Sequence, residues 1–388
     1  MRRLFLNLVS LLSLALLPAL LGAIPAQAAI ETTAEHGLLM DSETGQILWQ
    51  KDGLVPMPPA SMSKLMTLEL LFQRLRDGRI KLTDTLPVSE RAWRTQGSKM
   101  FVELGARIAV EDLIRGIVIQ SGNDACIVVA EGLGGTVEGF VDSMNKRARE
   151  LGLAQSHFVN PDGLPDPEGQ LMSALDLAKL ARHLVRDYPQ YYHYFSETSF
   201  VWHGIKQPNR DLVLGQLPGA DGLKTGHTDA AGYGITISAV RNGQRLILVL
   251  NGLRYPQYHN DYFPNIKRAE EAGRVMDMAF REFRHYPVTT ANQVVGQAAV
   301  KGGAEPMVPV TPGKAIAVTM QVDSHNALKT QVQQDANLAA PVALGQKVGM
   351  MAITAPDFPT MTVPVYATQA VSRANIFLRA WNSMFGKH

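Results

Sequence analysis

A single cysteine, Cys126, leaves this 388-residue chain without any intrachain disulfide. Exported chains ordinarily use disulfides. Here apolar packing must replace them, and the length suffices for one large and one smaller domain. Cys126 falls two residues after Asp124 in a run that reads as a buried helix, so it is expected to pack as a small hydrophobe. The chain also lacks C-x-x-C, H-E-x-x-H and any glycine-rich phosphate loop, so no metal, nucleotide or other cofactor is expected. No His–Asp pair stands at recognisable triad spacing, and there is no internal repeat or low-complexity tract. An excess of one charge is missing too. Without the first 28 residues, which hold Arg2 and Arg3 and no acid, 35 basic and 35 acidic residues remain. Nucleic acid is excluded as a partner on that balance, because phosphate binding needs a basic excess.

Arg2 and Arg3 precede an almost wholly apolar run, Leu4 to Leu21. Pro25 breaks that run, and Ala26-Gln27-Ala28 forms an A-x-A cleavage site. Residues 1–28 are therefore expected to be a signal peptide cut after Ala28, rather than a retained anchor, and to direct export to the periplasm.

The rest divides by pattern. Residues 36–52 read as a hairpin, and Pro56, Pro58 and Pro59 interrupt the chain before a helical run from Ser61 to Leu75. Further helices are expected over Val110–Ile119, Asp124–Leu133, Val137–Leu151 and Ala174–Tyr188. Strands then resume: Phe200-Val201-Trp202, the segment after Gly222, Gly234–Val240 and Arg245–Asn251. The last two are joined through Asn242-Gly243, a strong hairpin signal. A helix over Lys267–Phe283 closes a domain spanning residues 29–285. Residues 286–368 are rich in Val, Thr, Gly and Pro with short alternating runs, and predict a separate small all-β domain. In residues 369–388, Ala370, Ala374, Phe377, Leu378, Trp381, Met384 and Phe385 share one helical face. That pattern predicts an amphipathic helix binding a membrane surface through residues 370–388.

Three short segments carry chemistry. A serine hydroxyl needs a neighbouring base to become a nucleophile. Ser61 and Lys64, three apart on a helix, share a face. Lys64 can act as that base if burial or a second positive charge, such as Lys224, lowers its pKa. In Ser121-Gly122-Asn123, a hydroxyl can relay a proton to the leaving group, and an amide can orient substrate and bond to Lys64. In Lys224-Thr225-Gly226, a cation and a hydroxyl on a strand edge suit a substrate carboxylate, while glycine permits close backbone approach. Backbone N–H groups of Ser61 and His227 are the candidate oxyanion donors. Singly, these segments would read as a capped helix, a turn and a strand end; their ordered combination is the signal.

That S-x-x-K, S-x-N, K-T-G set resembles the penicillin-binding protein and serine β-lactamase superfamily. Within it, Pro59-Ala60-Ser61-Met62-Ser63-Lys64-Leu65-Met66-Thr67, Ser121-Gly122-Asn123-Asp124-Ala125 and Asp221-Gly222-Leu223-Lys224-Thr225-Gly226-His227-Thr228 are similar to the low-molecular-mass D-alanyl-D-alanine carboxypeptidases. The resemblance spans about residues 30–285 and includes Asn160-Pro161-Asp162-Gly163-Leu164, where several members carry histidine in place of Asp162. It implies an α/β (α+β) fold, a mostly antiparallel sheet with helices on both faces. It implies Ser61 as nucleophile, Lys64 as general base, Ser121 and Asn123 as the second wall, and Lys224 as the carboxylate contact. Arg268 fits best as a further carboxylate ligand, with Arg254 the weaker choice. The implied activity is removal of the terminal D-alanine from peptidoglycan stem peptides through an acyl-enzyme that β-lactam antibiotics also form. Endopeptidase and β-lactamase remain as alternatives, the latter weakened because Glu168 has no Asn four residues on (position 172 is Met), and a non-catalytic wall-binding scaffold is the non-enzyme alternative.

Overall fold

The computed structural model describes residues 30–375. The expected signal peptide therefore lies outside the described residues. Strands β1 (His36–Asp41) and β2 (Ile47–Lys51) form the first hairpin, followed by a 3-10 turn, Ala60–Ser63, and helix α1 (Lys64–Arg76). A helical region follows: β3 (Thr85–Pro87), α2 (Glu90–Arg94), β4 (Arg107–Ala109), α3 (Val110–Ile119), α4 (Asn123–Gly134), α5 (Val137–Glu150), α6 (Ala174–Asp187) and α7 (Pro189–Tyr192). The chain then runs through β5 (Ser199–Trp202), β6 (Ile205–Pro208), β7 (Ala220–Thr228), β8 (Gly232–Arg241), β9 (Gln244–Leu253) and α8 (Tyr262–Glu282).

One antiparallel sheet, ordered β2-β1-β9-β8-β7, organises this domain. Its strands are apolar on both faces because both are covered. Along β9, Leu246, Leu248 and Leu250 face α8, together with Ala272, Val275 and Met276, while Ile247 and Val249 join the core of α1 and α6. Asn242 and Gly243 both take left-handed φ, 50° and 79°, the conformation a two-residue hairpin between right-twisted strands requires. The expected strand at Phe200-Val201-Trp202 exists but does not join the sheet. It pairs with β6 in a separate ribbon, because the turn at His203-Gly204 folds it straight back on its neighbour.

The second domain is all-β. It comprises β10 (Phe283–Thr289), β11 (Gly296–Ala299), β12 (Met307–Thr311), β13 (Ile316–Gln321), β14 (Lys329–Gln334), β15 (Lys347–Ala355) and β16 (Phe358–Ala367). β10 pairs with β13, and the others form a five-stranded antiparallel sheet ordered β11-β12-β16-β15-β14. β10 begins at Phe283, so the strand runs across the boundary expected at residue 285. The Thr319 hydroxyl donates to the buried Asp41 carboxylate at 2.7 Å, tying this domain to the first hairpin.

The expected terminal helix does not begin at 370. Residues 370–375 are extended: Val371 bridges Val342, Arg373 bridges Gly303, and Val371 and Ala374 are buried on the β domain. The apolar spacing of Ala370 and Ala374 on a helical wheel is here a strand docked on a sheet. Residues 376–388 lie outside the described residues.

Candidate active site

The 3-10 turn places Ser61 at the mouth of α1 and seats Lys64 beneath it. Lys64 is fully buried. Its Nζ donates to Ser61 Oγ at 2.7 Å, to Asn123 Oδ1 at 2.8 Å and to the Asp162 carbonyl. The Asn160–Leu164 loop brings that carbonyl in, held to α1 by the Thr67 hydroxyl donating to the Pro161 carbonyl at 2.6 Å. Gly163 is required there: its φ is 81°, and a Cβ would meet the Ala60 carbonyl oxygen at 2.1 Å.

Ser121 precedes α4 with φ 58°, which turns its hydroxyl toward Lys224 Nζ at 3.0 Å. Asn123 Nδ2 donates to the Gln96 carbonyl at 2.8 Å. Asp124, next in the same segment, accepts from the backbone N–H groups of Met100, Phe101 and Val102 at 2.9–3.1 Å. This pins the loop that also supplies Ser98. β7 is an edge strand, and Gly226 lets it run against the 3-10 turn: a Cβ there would stand 3.0 Å from the Pro59 carbonyl oxygen and 3.2 Å from the Met62 nitrogen.

The charges reinforce one another. Burial lowers the pKa of Lys64, the Asp162 carboxylate opposes that shift in part, and Arg210 adds to it. Lys224 lies well below the ordinary lysine range, through burial first and then the neighbouring charges of Lys64 and Arg210. Burial pushes the Cys126 thiol up to about 12, so at neutral pH it stays uncharged and gives Lys64 no counter-ion. Cys126 is the small buried hydrophobe expected of it.

A cavity of about 190 Å³ opens on this constellation, lined by Ser61, Ser121, Thr225, Gly226, His227 and Arg268 among others. Arg268, on α8, is buried. It donates to the Gly226 and Gly234 carbonyls at 3.2 and 3.4 Å. Arg254, the weaker choice, is engaged elsewhere, with Glu35 at 2.8 Å and the Asp229 and Ala230 carbonyls. Lys224 is buried against Ser121 and is not on the cavity wall, whereas the cations Arg268 and Arg210 line it. Arg210 was not singled out by any motif. It lies on a loop, bonded to Ser98 Oγ at 2.6 Å, and both residues line the cavity. Glu168 is exposed and outside the cavity wall. Among the described residues that line the cavity, Asp261 alone carries a carboxylate.

Residues 23–253 match the family described as D-alanyl-D-alanine carboxypeptidase. The chain belongs to that family. Residues 283–373 of this carboxypeptidase match a second family, the C-terminal domain of penicillin-binding protein 5. The D-alanyl-D-alanine carboxypeptidase DacF of Bacillus subtilis is 32% identical over 349 residues, 88% of this chain and 86% of that protein. The structure is similar to penicillin-binding protein 5 from Haemophilus influenzae, with TM-score 0.78 and 32% identity over 88% of this chain and 98% of that one. It is also similar to penicillin-binding protein D2 from Listeria monocytogenes in its ampicillin-bound form, with TM-score 0.57 and 26% identity over 64% of this chain and 98% of that one. The chain is thus a serine peptidase of the hydrolase class with a low-molecular-mass penicillin-binding protein fold.

The lowered Lys64 pKa has a kinetic consequence. Lys64 can accept the Ser61 proton only when neutral, so acylation rises with pH and levels off above its folded pKa. The midpoint is expected below the 10.5 of a free lysine. Arg210→Ala removes a charge that disfavours protonated Lys64 and should move the midpoint up. Stopped-flow acylation by a fluorescent penicillin from pH 5 to 10 checks both. A rate independent of pH, or a downward shift in the variant, contradicts Lys64 as base.

Proposed function

We propose that the protein removes the terminal D-alanine from peptidoglycan stem peptides, and that β-lactams acylate the same serine. The observation that carries the reading is the 2.7 Å contact between Lys64 Nζ and Ser61 Oγ at the floor of a cavity walled by Arg268 and Arg210. In the acylation step Lys64 takes the Ser61 proton while Oγ bonds to the carbonyl carbon of the penultimate D-alanine. The backbone N–H groups of Ser61 and His227 are the donors assigned to the oxyanion. The C–N bond then breaks, and the leaving amine receives a proton through Ser121, which Lys224 supports from behind. Water hydrolyses the ester and restores Ser61. The terminal carboxylate meets Arg268, Arg210 and Thr225. Glu168, the carboxylate weighed as a β-lactamase-type deacylating base, is exposed and off the cavity wall, which supports the peptidase reading. Free D-alanine released from a synthetic pentapeptide, assayed with D-amino-acid oxidase, tests the reading; acylation by penicillin without D-alanine release contradicts it.

The same proposal extends to location. Export by residues 1–28 and attachment of residues 376–388 to the inner membrane surface would hold the catalytic domain in the periplasm, with the β domain as spacer. The support is the sequence alone: the A-x-A site, and Phe377, Leu378, Trp381 and Phe385 with Arg379 and Lys387. The truncation that tests it stops after Asn375, because Val371 and Ala374 are part of the β domain. The shortened protein should leave the membrane fraction with unchanged activity on small peptides. Continued sedimentation with membranes contradicts the attachment.

A further inference from the structure

Away from the catalytic cleft, a cavity of about 430 Å³ lies where the catalytic domain meets the β domain. The β8–β9 turn supplies Arg241 and Gln244, the end of α8 supplies Phe280 and Arg281, and the start of β10 supplies Arg284 and His285. It shares no lining residue with the cavity at Ser61.

Its charge is one-sided. Three arginines line it, and among the described residues no carboxylate does. Two of the arginines also hold the fold together. Arg241 lies over the Phe280 ring at 4.7 Å, donates to the Pro218 carbonyl at 3.0 Å and pairs with Asp277 at 2.6 Å. Arg284 Nη1 donates to the Phe280 and Phe283 carbonyls at the end of α8. These bonds fix both guanidinium groups and use only some of their N–H donors.

Arg281 and Gln244 have no such work. Asp277 is four residues before Arg281 and would be its helical partner, but Arg241 takes it. Arg281 is exposed and makes no hydrogen bond or ion pair among the described residues. Gln244 is buried, and its Nε2 has no partner among them either. A buried donor left unpaired is costly unless a ligand or water oxygen meets it. His285 is engaged through Nδ1, with the Thr319 hydroxyl at 3.3 Å and Asp41 at 4.0 Å, and that carboxylate also accepts from Thr319. With Asp277 set against Arg241, two positive charges and an amide donor remain. That set suits a doubly charged oxyanion, and guanidinium forks match phosphate oxygens.

We propose that this cavity binds a phosphate group, free or carried by a larger molecule, between the two domains. Isothermal titration of the full chain with inorganic phosphate tests it, at about pH 7.5, where phosphate is largely dianionic, with ionic strength fixed by chloride. One site per chain is expected, with Kd on the order of 1 mM. Arg281→Ala should weaken binding about tenfold or more, and Arg281→Lys should recover part of the loss, since the charge returns without the fork. Asn242 also lines the cavity, at φ 50°. Asn242→Asp keeps a residue suited to that backbone while adding a like-charged carboxylate, and should abolish binding. Both positions are exposed, so neither variant threatens the fold. Glycerol 3-phosphate separates the two sources: affinity equal to that of phosphate points to a phosphate carried by a larger molecule, and binding of inorganic phosphate alone points to the free ion, either result upholding the site. Absence of saturable binding for both compounds overturns it. So does binding that survives Arg281→Ala and Asn242→Asp, which would place the anion at Arg268 and Arg210 instead.

Discussion

Ser61→Ala is expected to lower D-alanine release by about 10⁶-fold, the scale of loss when a covalent nucleophile is removed from a preorganised site. It should also abolish stable β-lactam labelling. The fold should survive, because Lys64 keeps its bonds to Asn123 and the Asp162 carbonyl. No neighbour can substitute. Ser63 Oγ is buried and turned to the Ala60 carbonyl at 3.0 Å. Ser121 stands on the opposite wall with Lys224, and Cys126 is a buried neutral thiol. Unchanged circular dichroism with silent kinetics is the expected pair of results. Stoichiometric labelling of the variant would show that another group attacks.

Arg268→Ala should give the second largest effect, and a selective one. A charge-assisted hydrogen bond to carboxylate is worth about 1.5–3 kcal/mol, so kcat/KM on peptides ending in a free carboxylate should fall roughly 10- to 150-fold. The corresponding amidated peptides should lose little. Lys224→Ala should instead lower turnover on both, because Lys224 acts through Ser121 and its charge rather than from the cavity wall. Arg254→Ala should leave the ratio of the two substrates unchanged. Since Arg268 is buried, the melting temperature of its variant must be measured alongside. A selective loss in Arg254→Ala in place of Arg268→Ala would relocate the carboxylate site.

The nucleophile and base could be read from sequence because their chemistry demands closeness within one turn of helix, and S-x-x-K states that closeness directly. Ser121, Asn123 and Lys224 were legible because each sits in a short segment whose backbone is itself constrained: φ 58° at Ser121 and the close approach at Gly226. Arg210 and Ser98 were not. They meet at 2.6 Å from segments 112 residues apart, and neither segment has a periodicity or local geometry that marks it. The Asp162 position shows a subtler case. Its side chain departs from the resembling family and acts on Lys64 through its charge, while the direct hydrogen bond to Lys64 is accepted by a backbone carbonyl, which side-chain identity does not encode. Residues 370–375 failed for a different reason. A small apolar residue every fourth position fits a helix, but Val371 between them finds a strand partner in Val342, and that tertiary pairing overrides the pattern.

Ser61 Oγ, activated by Lys64, is the atom expected to be acylated. The most direct measurement is peptide mapping by mass spectrometry after brief incubation of the full chain with a penicillin. One adduct per chain is expected, on the peptide containing Ser61, and none in Lys64→Ala over the same interval. An adduct on any other peptide, or an undiminished adduct in the Lys64 variant, would contradict it.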